Sequence, residues 1–84
     1  MPPAMTATVI PRTPGEIHTK RADLIARAKT VGWSQNHLAR RIGADVGHFS
    51  RVLRGLLVSA PCWRKADAAL RKEERRRAAR RRAA

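Results

Sequence analysis

The sequence predicts an all-α protein, a small compact domain of four or five helices built around a helix-turn-helix. Three observations predict it. Apolar residues recur at helical spacing, capping residues stand immediately before those stretches at Thr13, Ser34 and Asp45, and glycines stand immediately after them at Gly32, Gly43 and Gly55. Eighty-four residues allow one domain, near the lower size limit for independent folding, so a large catalytic cleft is not expected.

Residues 1–12 carry Pro2, Pro3 and Pro11 without helical periodicity and read as a flexible arm. Thr13-Pro14-Gly15-Glu16 has the form of a capping box, with proline at the first helical position, where its missing N–H costs nothing. The helix that starts there places Ile17, Arg21, Leu24, Ile25, Ala28 and Val31 on one face, with Lys20, Arg27 and Lys29 elsewhere on its circumference, and stops at Gly32. Ser34 caps a second, short helix ending at Gly43, with Trp33 placed to staple onto Leu38. Asp45 caps a third from Val46 to about Arg54, and Gly55 ends it.

Leu56-Leu57-Val58 is an apolar connection whose side chains either enter the core or form a contact between copies. Ser59 and Pro61 open a fourth helix with Trp63, Ala66, Ala69 and Leu70 inward. From Arg71 onward only Arg, Lys, Glu and Ala remain. Glu73 and Arg77 make one favourable pair, and beyond it the charge repulsion of Arg75-Arg76-Arg77 and Arg80-Arg81-Arg82 predicts a frayed or disordered end. The expected organisation is an arm over 1–12, a helix-turn-helix domain over 13–72 and a basic Arg/Ala-rich tail over 73–84.

The 19 Lys and Arg residues outnumber 6 acidic ones, and the net charge of +13 calls for a polyanionic partner, nucleic acid first. Cys62 is the single cysteine, so no internal disulfide forms, and no apolar run approaches the roughly 20 residues of a membrane span. The opening Met1-Pro2-Pro3-Ala4 is unlike a secretory signal. The expectation is a soluble protein without membrane attachment, in the cytoplasm of a bacterial cell or phage-infected host and associated with the nucleoid. His37, His48 and Cys62 stand eleven and fourteen residues apart, which fits no usual zinc spacing. No phosphate-binding glycine loop or activated nucleophile is present, so neither metal, cofactor nor enzyme activity is expected.

Residues 35–54 are the informative stretch. Leu38, Ala39 and Ile42 on one short helix and Ala44, Phe49 and Val52 on the next form an apolar wedge, with Gly43 at the turn, leaving the outer face of the second helix free for a major groove. Gly32-Trp33-Ser34-Gln35, Leu38-Ala39, Ile42-Gly43, Phe49-Ser50-Arg51-Val52 and Arg54-Gly55 together resemble the XRE or Cro/phage-repressor helix-turn-helix family, without a gap, over Leu24 to Leu70. The chain departs from that pattern at His37, near which the family usually carries an acidic residue, and at Val46 and Gly47, where it usually has polar ones.

The resemblance implies that Gln35 touches a phosphate, that Val46, Gly47, Ser50 and Arg51 face base edges and that Arg54 lies near the backbone. Arg51 has the geometry to bridge guanine O6 and N7, Val46 to meet a thymine methyl, and Gly47 to let the helix approach closely. Each role has a plainer competitor: Arg51 on a phosphate, Gly47 as a tolerated glycine, His48 in solvent rather than on a phosphate, Asp45 as a cap rather than a cytosine reader. The resulting expectation is a sequence-specific transcriptional regulator, a repressor, binding double-stranded DNA as a homodimer. Two other readings stay open. One is a packaging, architectural or RNA-binding protein dominated by its basic tail, and the other an antitoxin-type autorepressor whose terminus binds a protein.

Overall fold

Thr13 turns the extended chain into a helix by the reciprocal bonding its sequence promises. The Glu16 N–H donates to the Thr13 hydroxyl at 3.1 Å and the Thr13 N–H donates to Glu16 Oε1 at 3.0 Å. In the computed structural model, which describes residues 10–83, this box opens α1 (Pro14–Thr30). The same Glu16 oxygen also accepts the Arg12 N–H at 3.0 Å. These backbone donors, Thr13's before Arg12's, hold the Glu16 carboxyl below its ordinary pKa range. The cap thus reaches upstream of the helix. Ile10 packs against the core and Pro11 is buried, so the expected flexible arm is corrected for residues 10–12, and the rest of it lies outside the described residues.

The remaining helices are α2 (Gln35–Arg41), α3 (Val46–Leu53) and α4 (Ala60–Ala83). Ser34 and Asp45 cap α2 and α3, accepting the N–H of His37 and of His48 at 3.0 Å each. The Ser59 hydroxyl accepts the Cys62 N–H at the start of α4 at 3.4 Å. The first three helices end alike. Trp33, Ala44 and Leu56 donate back to the carbonyls of Ala28, Ala39 and Arg51 at 2.8, 2.9 and 2.9 Å, while the glycine before each takes the left-handed conformation. This double-bonded ending needs φ near +77°, +74° and +81° at Gly32, Gly43 and Gly55, where a Cβ would be strained. Helix α3 ends as expected, with Arg54 as its C-cap.

Four helices enclose one core. Leu24, Ala28 and Val31 meet Leu38 and Ala39, Phe49, Val52 and Leu53, and Trp63, Ala66 and Leu70. Cys62 is a buried free thiol beside them, and Ile17, Ile42, Ala44 and Ala69 pack half-buried around the edge. Ile25, expected inward, is 39% exposed and sits at the rim of the core. Helices α3 and α4 each pack on α1 and α2. No helix among the described residues is long and apolar enough to cross a membrane.

The basic residues carry a contact and a correction. Arg27, off the apolar face of α1 as its spacing placed it, has a side chain only 22% exposed. Its Nη1 donates to Asp67 Oδ1 at 2.8 Å while Nε and Nη2 grip both oxygens of Glu74 at 3.0 Å. The expected frayed end is helical through Ala83. Glu73 accepts from Arg77 at 2.8 Å, as its spacing promised, and from Arg76 at 3.1 Å, and bonds to Arg76 and then Arg77 lower its pKa. Arg77 also donates to the Val31 carbonyl at 2.8 Å, tying α4 to the end of α1. The acids therefore neutralise the tail's first turns and dock them. The last turn has the strong helix propensity of Ala and Arg, and cations beside the negative end of the helix dipole. Glu74 and Arg77, within the expected tail, thus contact α1.

Candidate nucleic-acid interface

Helix α3 has a fixed inner side because Phe49, Val52 and Leu53 are 0–1% exposed. At about 100° per residue the opposite side carries Gly47, Arg51 and Arg54, with Ser50 and His48 on its two flanks. Gly47, His48, Arg51 and Arg54 are exposed and Ser50 is half-buried. The wedge that holds this helix is the one expected from Leu38, Ala39, Ile42, Ala44, Phe49 and Val52, with Leu53 as a further buried member that sequence reasoning passed over. Val46 is half-buried and packed against the core, so only part of its side chain faces outward.

The Asp45 cap accounts for Gly47 more directly than groove access does. A Cβ at position 47 would sit 3.2 Å from Asp45 Oδ2, the oxygen that accepts the His48 N–H. Any side chain there presses on the carboxylate that starts the helix. Glycine leaves the cap undisturbed and the first turn of α3 bare.

Gln35 opens α2 and is half-buried. It lines a shallow hollow with Ser34, Trp33, Ile25 and Leu53, which brings the start of α2 beside Leu53 at the end of α3, whereas Arg54 lines a separate hollow with Pro14, Ile17, His18 and Arg21 on α1. Beyond Gln35, α2 offers Arg40 and Arg41. The Arg41 guanidinium lies 5.1 Å from the Trp33 ring centroid, and that ring lies 5.2 Å from His37. Trp33 is thus a rim residue with a cation on its face. Position 41 is eight residues away, at the far end of α2, and the contact spans the length of that helix.

The electrostatics of α3's outer face follow from where the acids are spent. Glu16 caps α1. Asp67, Glu73 and Glu74 bind arginines on α1 and α4, and Asp23 lies 3.8 Å from Arg27. Asp45 alone stands at α3, and its carboxylate is committed to the His48 amide. The guanidiniums of Arg51 and Arg54 make no ion pair or hydrogen bond among the described residues. Chemically the face offers bidentate donors on a rigid rod, suited to guanine edges or phosphate oxygens. His37, His48 and Cys62 do not converge, and no group of three metal-ligating side chains forms among the described residues. In comparisons with known proteins, no family profile, no curated protein and no solved structure matches the chain.

Proposed function

We propose that this chain is a sequence-specific DNA-binding transcriptional regulator, a repressor of the Cro/phage-repressor type, that lays α3 in the major groove of an operator. The observation that carries the reading is α3 itself: a short helix whose inner side is locked by Phe49, Val52 and Leu53 while Gly47, Ser50, Arg51 and Arg54 face outward without an acidic neighbour to quench the two arginines. A rigid helix with cationic, hydrogen-bonding side chains on its free face is what direct readout requires. Gln35 and His48 add polar contacts to the flanking phosphates, and Val46 offers its exposed edge to a thymine methyl.

Arg51→Ala is the direct test. The variant folds normally, because the side chain is exposed and unpaired. It loses about 1 to 3 kcal/mol of affinity for the selected site and relaxes preference at one base position. Binding-site selection from a random duplex pool, repeated with the variant, measures both. Equal losses on selected and scrambled duplexes with unchanged base preference make Arg51 a phosphate anchor instead.

Recognition by a homodimer accounts for the loop after α3. Leu56 is 65% exposed and Val58 102%, an apolar surface where a solvent-facing connection is ordinarily polar. Two copies joined there present their α3 helices to half-sites about 34 Å apart, one turn of duplex. Val58→Glu, at a fully exposed side chain, should leave the fold intact and abolish cooperative protection of the two half-sites in a footprint. Cooperative protection by a folded Val58→Glu protein refutes this interface.

A further inference from the structure

We propose that the outer face of α4 is a second DNA-binding surface, which grips the sugar–phosphate backbone of a duplex other than the one read by α3. The proposal rests on the DNA-binding reading for its first duplex. Its own basis is the way α4 sorts its charges. Advancing by about 100° per residue, Arg64, Arg71, Arg75 and Arg82 fall within a sector of about 40° on the outer half of the helix, about 140° around from the buried stripe of Trp63, Ala66, Leu70 and Glu73. At 1.5 Å rise per residue they form a straight ridge about 27 Å long.

The acids of α4 are kept off that ridge. Asp67 and Glu73 are buried, and Glu74 is turned to Arg27 on α1. Within the ridge, Arg71 Nε is bonded to Asp67 Oδ2 at 2.9 Å, whereas Arg64, Arg75 and Arg82 are exposed with no ion pair or hydrogen bond among the described residues. A helix that had been merely a solvated charge run would not need the three acids of α4 gathered on its inner half. The docking of Arg77 on the Val31 carbonyl holds the middle of the ridge to the domain, so its charges are presented as a rigid line.

The chemistry of the ridge selects its partner. Over a length of about 27 Å a duplex carries about sixteen phosphate charges, and arginine forks bind phosphate oxygens in pairs. Between the arginines stand Ala68 and Ala79, so the face has no large apolar side chain to bury in a bilayer and no aromatic ring on which an unpaired base could stack. A regular, sequence-independent phosphate backbone is what remains. Because α3 and α4 each pack on α1 and α2 and only weakly on each other, the ridge is a separate surface from the outer face of α3, and it meets a different stretch of nucleic acid from the one in contact with Arg51. A regulator with this architecture draws two DNA segments together.

The test uses two short random-sequence duplexes, one tethered to beads and one fluorescent, with the full chain as the only link. The wild-type protein should retain the fluorescent duplex on the beads. The triple variant Arg64→Gln/Arg75→Gln/Arg82→Gln leaves the Arg71–Asp67 pair in place, and circular dichroism confirms its fold. It should still bind a single duplex through α3 with the salt dependence of that contact unchanged, while capture of the second duplex has its slope of log affinity against log salt reduced by about 2.7, or 0.9 for each lost phosphate contact, and at least tenfold less fluorescent duplex is retained. Retention equal to wild type overturns the proposal and points to bridging through paired α3 helices. A wild-type chain that binds one duplex but never two overturns this proposal alone, and one that binds none overturns the DNA-binding reading with it. Displacement of the fluorescent duplex by single-stranded RNA at much lower concentration than by unlabelled duplex makes the ridge an RNA surface, which also overturns it.

Discussion

Phe49→Ala is expected to lower the unfolding free energy by about 3 to 5 kcal/mol, the cost of deleting a large aromatic side chain from a packed core. Phe49 is the largest side chain with no exposure at all, and it sits where α3 meets the rest of the core. The loss is large against the total. A chain of this size has roughly 4 to 13 kcal/mol of stability at 0.05 to 0.15 kcal/mol per residue, and the self-repulsion of a strongly basic chain pushes toward the lower part of that range. At about 4 to 8 °C per kcal/mol for a domain this small, the melting temperature falls by roughly 12 to 40 °C. Phe49→Leu keeps most of the volume and costs less than about 1.5 kcal/mol. The functional consequence separates two kinds of binding. Above its melting point the Phe49→Ala chain loses base preference, because α3 is no longer held, yet keeps a salt-sensitive attraction for DNA, because the charge of +13 belongs to the sequence and not to the fold. A thermal melt by circular dichroism decides the first part, and a melting temperature within a few degrees of the parent removes Phe49 from the core contact between α2 and α3.

The parts of this fold that were legible in the sequence are those made by neighbours. Thr13 with Glu16, Ser34 with His37 and Asp45 with His48 are bonds across three residues, and a glycine that must adopt positive φ announces itself by identity. The wedge was legible for the same reason, since Leu38, Ala39, Phe49 and Val52 lie on faces fixed by helical periodicity within two short segments. What was not legible depends on pairs far apart in the chain. Arg27 looks like any cation on an amphipathic helix until Asp67 and Glu74, 40 and 47 residues further on, are folded against it. The tail was misread in the same way. Its charge pattern predicts repulsion, and only the folded chain places the Val31 carbonyl within reach of Arg77. At the candidate interface the face was predictable and the details were not: the half-burial of Val46 and the closeness of Gly47 to the Asp45 carboxylate are matters of tenths of an ångström that no periodicity encodes.

Arg27→Met is expected to cost about 2 to 3 kcal/mol and to loosen the far half of α4. The guanidinium is the one group that joins α1 to both acids on this side of α4. It gives one donor to Asp67 and two to Glu74, and the bonds to Glu74, then those to Asp67, hold its proton more firmly than water does. Methionine fills the space of the stem but leaves Asp67 Oδ1 without that donor. Asp67's side chain is 4% exposed, so water does not readily replace the lost bond, whereas Glu74 is exposed enough to be rehydrated. Breaking a fully buried pair costs about 3 to 5 kcal/mol, and the smaller figure here reflects the bond that Arg71 still makes to the other Asp67 oxygen. Arg27→Lys restores the charge but not the fork, because one ammonium does not span both carboxylates in the same geometry, and it should recover only part of the loss. The effect is also local. Amide hydrogen exchange across residues 71–83 should accelerate more than exchange in α2 and α3, since the contact removed is one that fastens α4 beyond Leu70 to α1, leaving the Arg77–Val31 bond to hold alone. The double variant Arg27→Met/Asp67→Leu, which removes the stranded charge with its partner, should be less unstable than the sum of its single variants. Additive losses in that cycle, or unchanged exchange at the end of α4, mean that the helix docks without the clamp and that the basic ridge it carries is positioned by its inner stripe of Trp63, Ala66 and Leu70 alone.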